Sequence, residues 1–418
     1  MKLRAYPEYK DSGVEWIGEI PEGWKVGKIK HFSENLDGKR VPISAENRIE
    51  GKIPYYGATG VVDYVKEHIF NEELLLIGED GAPFFDSKKD VAFIISGKNW
   101  VNNHAHVLRV NKKFNIKMIM HILNQVDYSL YIKGSTRDKL NQDQLKEIPV
   151  LIPLIEEQKA IISFLDKKTS EIDKTIEKDT RLIELLQEKR TALINHVVTK
   201  GLDPEAPMKD SGIEWIGKIP THWKVKKAKT LFSEVNNRSK GNNKELLSVS
   251  HITGVTPRSE KPDITMFMAE TTEGYKLCEV EDLVINTMWA WMGALGFSNH
   301  DGIVSPSYNV YRFKKSCLKS DYYDALFRTP NFVSEVTRWS KGIWTSRLRL
   351  YPAGFFQINL PVPPENEQLE IGNFIIQEKE KIDRLESTIT KAISLLQEYK
   401  KSLIHHVVTG KVDVRDAV

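Results

Sequence analysis

Cysteine is almost absent from this 418-residue chain: only Cys278 and Cys317 occur, with no metal-ligand spacing around them. That excludes a disulfide framework and a thiolate metal site, and reads as a reduced, cytoplasmic protein. No stretch approaches the roughly 18 uninterrupted apolar residues of a membrane span. The opening Met-Lys-Leu-Arg-Ala-Tyr-Pro has no apolar run behind its charges, so no signal peptide is expected. An excess of one charge is also missing. A net charge of +3 suits an ordinary soluble protein as well as a polyanion binder. The balance shifts along the chain, however: residues 205–360 hold 21 Lys/Arg against 16 Asp/Glu, which makes that block the more basic candidate surface.

Catalytic signatures are equally scarce. Gly212-Ile-Glu-Trp-Ile-Gly-Lys218 fits part of a phosphate-binding loop, but Ile219 stands where a magnesium-binding Ser/Thr belongs, so it reads as a turn. There is no Gly-x-Gly-x-x-Gly fingerprint and no Asn/Asp-Pro-Pro-aromatic run. Asn102-Asn-His-Ala-His106 places two imidazoles on one strand face, yet no acid or Cys lies at ligand spacing; hydrogen-bonding residues are expected there, not a metal site. His405-His406 reads as helix capping and packing, and Asp86-Ser-Lys88 and Glu398-Tyr-Lys400 as surface charges.

What the chain does have is a second copy of itself. Lys10-Asp-Ser-Gly-Val-Glu-Trp-Ile-Gly-Glu-Ile-Pro, closing with Trp24, returns as Lys209-Asp-Ser-Gly-Ile-Glu-Trp-Ile-Gly-Lys-Ile-Pro, closing with Trp223. Leu185-Leu-Gln-Glu-Lys-Arg-Thr-Ala-Leu-Ile-Asn-His-Val-Val-Thr returns as Leu395-Leu-Gln-Glu-Tyr-Lys-Lys-Ser-Leu-Ile-His-His-Val-Val-Thr. Between these matched ends lie two blocks, about 26–146 and 225–356, whose sequences scarcely resemble each other. A duplicated frame carries two different middles.

Each unit starts with a turn-rich lead-in and continues into an α+β block. Glu73-Leu-Leu-Leu-Ile-Gly, Val91-Ala-Phe-Ile-Ile and His106-Val-Leu-Arg-Val read as strands; 116–126 and 322–340 read as helices. A long helix closes each unit, entered after Pro153 or Pro363 with acids in its first turn and left at Gly201 or Gly410. A heptad frame places Ile162, Leu165, Ile172, Ile176, Ile183, Leu186, Leu193 and Val197 on one seam. Its counterpart holds Ile375, Ile382, Ile389, Ile393, Leu396, Leu403 and Val407, with Arg190 and Lys400 as interruptions. Two apolar stripes of this length are expected to pack on each other.

Two blocks, each followed by a near-identical helix, resemble the specificity subunits of type I restriction-modification systems. The likeness rests on the duplicated lead-in, on Gly134-Ser-Thr-Arg137, and on Pro153-Leu-Ile-Glu-Glu-Gln158 with Pro363-Pro-Glu-Asn-Glu-Gln368; the second copy departs at Lys341-Gly-Ile-Trp-Thr-Ser-Arg347. The resemblance implies an α+β fold with two pseudo-twofold-related target-recognition domains, separated by two long antiparallel helices forming a coiled-coil rod. Expected segments are 1–152 (lead-in and first recognition domain), 153–200 (spacer helix), 201–360 (second lead-in and recognition domain) and 361–418 (second helix and tail). It also implies a non-catalytic DNA reader of a bipartite asymmetric site, in which the helices dock two methyltransferase subunits and nuclease-translocase subunits can join. S-adenosylmethionine, ATP and magnesium would belong to those partners. The alternative reading is a stand-alone duplicated DNA-binding scaffold.

Reading bases takes donors and acceptors on exposed loops, flanked by cations for phosphates. In the first block the candidates are Asn47, Arg48, Lys52, Tyr55, Tyr56, Thr59, Tyr64, Asn102, Asn103, His104, Lys133, Ser135, Thr136, Arg137 and Lys139. In the second they are Arg238, Lys240, His251, Thr253, Arg258, Trp289, Trp291, Ser305, Ser307, Tyr308, Lys341, Trp344, Thr345, Ser346, Arg347 and Arg349. Asn286-Thr-Met-Trp-Ala-Trp-Met-Gly293 alternates large apolar groups, and its two tryptophans lean towards a buried strand.

Overall fold

The computed structural model describes residues 4–86, 89–132, 138–241, 244–260, 272–343 and 347–417. The chain forms two compact units, one of residues 1–179 with 391–418 and the other of residues 180–390. The division falls inside both long helices, Ile155–Lys200 and Glu365–Val408, so each helix gives one half to each unit.

The first unit is built on a four-stranded antiparallel sheet in the order Ser33–Asn35, Ala105–Val110, Leu74–Gly78, Ala92–Ile95. Leu74–Ile77 is fully buried because it has apolar neighbours on both faces. Leu75 and Ile77 join the main core with Trp24 and the helix Ile116–Leu123, while Leu74 and Leu76 join a second core with Val101, Ala105 and Val107. A two-faced core strand reads as an unbroken apolar run instead of an alternating one.

The second unit repeats this sheet strand for strand: Phe232–Val235, Tyr308–Phe313, Leu283–Asn286, Leu295–Phe297. Leu283 and Ile285 face one core and Val284 the other. The dissimilar middles therefore carry the same framework. The segment expected as one helix over 322–340 is two helices, Ser320–Phe327 and Pro330–Trp339. Pro330 lacks the amide an internal turn needs, and Thr329 caps the second helix by accepting from the Phe332 N–H.

In each unit the strand after the lead-in pairs with the strand before the long helix: Lys25–Lys28 with Pro149–Ile152, and Lys224–Lys227 with Asn359–Val362. A glutamine locks this closure. The Gln158 side chain accepts from the Asn115 N–H (3.1 Å) and donates to the Pro153 carbonyl (3.0 Å). Gln368 does the same with Lys319 (3.0 Å) and Pro363 (2.9 Å). Only an amide both accepts and donates at this position. Gln158→Glu is therefore expected to destabilise the chain by about 1–3 kcal/mol, since a carboxylate faces the Pro153 carbonyl without a proton to give. Denaturant unfolding of full-length variants checks this; Gln368→Glu should behave alike.

The long helices run antiparallel within each unit. In the first, Lys400 bonds Asp173 (2.7 Å), and Ile176, one turn onward, borders the same cleft as the earlier Ser394 and Gln397. In the second, Arg190 pairs with Asp383 and lies 3.5 Å from Glu386, while Ile194, Ile375 and Ile376 line one cleft. None of the seam residues is exposed. The interrupting Arg190 and Lys400 take up the acids opposite them.

Each lead-in packs on the end of a long helix. Gly201 (φ +78°) lies against Trp223 and Pro220, and Gly410 (φ +72°) against Trp24 and Pro21. In the first unit the chain ends close this contact: Arg4 pairs with Asp413 in a β-bridge, and the Lys411 ammonium donates to the Glu19 carbonyl (2.7 Å).

Candidate nucleic-acid interface

Three segments of the first unit converge at one end of its sheet: the loop after Leu74–Gly78, the turn before Ala105–Val110, and the approach to the helix Gln142–Glu147. The Glu79 N–H donates to the His104 carbonyl (2.8 Å), and the Leu140 N–H to the Glu79 carbonyl (2.8 Å). The second unit uses the same joint, the Leu350 N–H donating to Thr287 (3.2 Å) and the Thr287 hydroxyl to Ser307 (2.7 Å).

Beneath the first unit's joint lies a buried polar network. The Asp37 carboxylate accepts from the His106 ring (2.6 Å), the Val107 N–H (2.8 Å) and the Gln142 amide (3.0 Å), with Arg40 at 3.4 Å. Arg40 also binds Glu79 (2.6 Å), and Lys139 holds the other Glu79 oxygen (3.1 Å). Burial raises the Asp37 carboxyl, but His106, the Val107 amide and Arg40 together outweigh it and hold the group below the ordinary aspartate range. Glu79 is lowered likewise, burial being overcome by Arg40 and Lys139.

The sequence offered His106 no acidic partner; the fold supplies two, and ligand atoms of Asp37, Glu79 and His106 lie within 4.8 Å of one another. The geometry is that of a hydrogen-bonded network, since the Arg40 guanidinium already provides the cation and the second His106 nitrogen faces the Leu140 carbonyl (2.8 Å). His405 is half-buried on the second long helix, its basicity lowered by burial and by His406 and Lys411.

The first-block candidates separate into two groups. Asn47, Lys52, Thr59, Tyr64, Asn103, His104 and Lys139 are exposed; His104 contacts Asp80, and Thr59 sits at the turn between strands Glu50–Gly57 and Gly60–Val65. Tyr55 and Asn102 are corrections, and Arg48 is half-buried. Tyr55 is 1% exposed, and its hydroxyl accepts from the Ile43 N–H (3.0 Å). Asn102 is buried and holds the turn by accepting from the His104 N–H (2.8 Å). Arg48 lies over the Tyr55 ring and binds Asp63 (2.9 Å). Tyr56 is half-buried against Phe93. Lys133, Ser135, Thr136 and Arg137 lie outside the described residues.

In the second block Arg238, Lys240, His251, Thr253, Ser307, Lys341 and Arg347 are exposed, and Arg258, Ser305, Tyr308 and Arg349 half-buried. Arg238 donates to the Gly274 carbonyl (2.9 Å), at some distance in sequence from the joint. Lys341 and Arg349 are paired backbone to backbone (2.9 Å each way), and the neighbouring Leu350 N–H bonds Thr287, which sets this pair beside it. Trp344, Thr345 and Ser346 lie outside the described residues. The tryptophans overturn the buried-strand expectation: the strand ends at Asn286, Trp289 is 50% exposed and Trp291 half-buried. Sequence reasoning missed Asp37, Arg40, Glu79 and Thr287. Asp37 and His106 are 69 residues apart, and no local pattern links them.

Two units of one framework, each bringing unlike polar, cationic and aromatic loops to the same joint, define a duplicated recognition protein. Residues 21–186 match the family model described as the type I restriction modification DNA specificity domain. Across 99% of both chains the sequence is 22% identical to the putative type I restriction enzyme MjaX specificity subunit of Methanocaldococcus jannaschii. It is 32% identical over 147 residues to the putative type I restriction enzyme specificity subunit S.HindORF215P of Haemophilus influenzae, a match spanning 35% of this chain and only 37% of that protein. A chain from a structure describing assembly and conformational transition of the type I R-M system has the same fold, with TM-score 0.65 and 12% identity over 93% of this chain and 98% of that one. Residues 21–186 thus carry the match to the specificity-domain family, and along its whole length the chain is similar to a type I restriction enzyme specificity subunit. Among the described residues no helix is long and apolar enough to cross a membrane.

Proposed function

We propose that this chain is the DNA-recognition subunit of a type I restriction-modification complex, each unit reading one half of a bipartite, asymmetric site. The observation that carries this is one sheet framework holding two unlike loop sets at the same joint: equal scaffolds position equally, and unlike loops select unlike half-sites. The chain itself has no catalytic role. Two methyltransferase subunits dock on the paired helices, and restriction-translocase subunits complete the complex in the cytoplasm. S-adenosylmethionine, ATP and magnesium are held by those partners, where they supply methyl transfer and translocation.

Base-resolution mapping of N6-methyladenine in host DNA, with and without the gene, tests this. Loss of one split asymmetric motif on deletion is the expected result. An unchanged map in cells expressing the partner methyltransferase removes the role and leaves a stand-alone DNA-binding scaffold. Within the second half-site, Arg347→Ala is expected to weaken binding about five- to 150-fold and to relax selectivity at one base pair, as for a bidentate guanine contact. Titration against single-base variants of the mapped site reads this out; equal weakening on every sequence would assign Arg347 to phosphate.

A further inference from the structure

Trp289 is an anomaly that DNA reading by polar loops does not explain. Its ring is half open to water, and the backbone holds it there. The Trp289 N–H donates to the Asn286 carbonyl (3.0 Å), while its own carbonyl accepts from Met292 (3.0 Å) and Ala294 (3.1 Å). Ala290 is fully buried beneath it, and Gly293 (φ +86°) turns the chain back into the sheet. Behind the ring stands Trp291, near-parallel at 22° with centroids 6.3 Å apart. Its indole N–H is used on the Met288 carbonyl (3.1 Å), and its carbonyl accepts from Thr337 (3.4 Å) on the helix Pro330–Trp339. Met292, also on this loop, is 37% exposed.

The surroundings identify the occupant. Thr287, two residues before Trp289, receives the Leu350 N–H, which places Arg349 and its backbone partner Lys341 next to the loop, with Arg347 two residues away in sequence. Ile343, two residues after Lys341, is 93% exposed. An aromatic and aliphatic prow flanked by cations complements a duplex, whose bases offer π-faces between two lines of phosphates. The first unit's loop at the same joint opens instead with the small Glu79-Asp-Gly-Ala82, whose acids are held by Arg40, Lys139 and His104; its exposed ring, Phe85, comes later in that loop.

We propose that Trp289, backed by Trp291, is a wedge that enters a base step of the half-site read by the second unit, so that this half is selected partly by how easily its step unstacks. Pyrimidine–purine steps open most easily and are the expected sequence at that position. The proposal rests on the DNA-reading role above.

The test uses the full-length chain with its partner methyltransferase and a duplex carrying the mapped motif, with 2-aminopurine placed in turn at each step. Wild-type binding is expected to brighten one step of the second half-site and none of the first. Trp289→Ala should abolish that signal and weaken binding at least fivefold, and Trp289→Phe should keep most of both. The residue is exposed, and matching thermal unfolding checks that the variants fold. Tight wild-type binding with every step dark and Trp289→Ala unaffected would overturn the wedge while leaving DNA reading intact. Unchanged DNA affinity with lost methyltransferase association would assign Trp289 to a protein interface and equally overturn it. Failure of wild type to bind the duplex would overturn DNA reading itself.

Discussion

Asp37→Ala is expected to be among the most destabilising single substitutions in the first unit, by about 3–5 kcal/mol. It removes the shared acceptor of His106, Gln142 and the Val107 N–H, leaving a buried imidazole and a buried amide without their carboxylate, while Arg40 keeps only the Glu79 carboxylate. Replacing one member of a buried charged network costs this much because the remaining groups keep their desolvation and lose their compensation. Calorimetry of the full chain should show a melting transition lowered by roughly 10 °C. A loss below 1 kcal/mol would mean that the network is solvated. The pH dependence follows from the sign of the shift. Asp37 is lowered in the folded state, so its stabilisation is fully present above the ordinary aspartate value near pH 4, and is lost as pH falls through the folded-state value. Wild type should therefore weaken on acidification through that range, and Asp37→Ala should lose part of this slope.

The second large effect separates two glycines that the repeat makes equivalent. Gly410→Ala is expected to cost roughly 2–5 kcal/mol and Gly201→Ala about 1–2 kcal/mol. Both hold a positive φ that an L side chain adopts only with strain. At Gly201 an added Cβ would meet Trp223 at 3.5 Å, an ordinary contact. At Gly410 it would lie 2.4 Å from the Pro21 ring and 3.2 Å from Trp24, and the closing contact between lead-in and helix end would have to open. Paired unfolding curves of the two full-length variants give the difference directly; equal losses would show that the Pro21 contact yields freely.

Much of the architecture was legible because it is local or repeated. The lead-in, the Pro-to-Gln helix start and the Gly helix end recur, and heptads mark both long helices. Leu74–Ile77 announced itself as an unbroken apolar run. The reading face was legible only as composition. Tyr55 and Tyr64 look alike in sequence, yet one closes a core with its hydroxyl on Ile43 and the other stands in solvent. Asn102 and Asn103 are adjacent, and a turn buries the first and exposes the second. Alternation alone suggested that Trp289 and Trp291 lay in a buried strand. A 3₁₀ turn over Ala290–Met292 ends the alternation and turns one indole outward.

By itself, then, the sequence determined duplication, long paired helices and the absence of a recognisable catalytic motif, since each is written in residues close together or repeated at a fixed offset. Tertiary structure alone decided that the two dissimilar middles share one sheet, that Asp37 reaches His106 across 69 residues, and which candidates face outward. Those outcomes depend on which strands pair and which side of a turn is covered. Contacts between distant segments set both, and no local pattern encodes them.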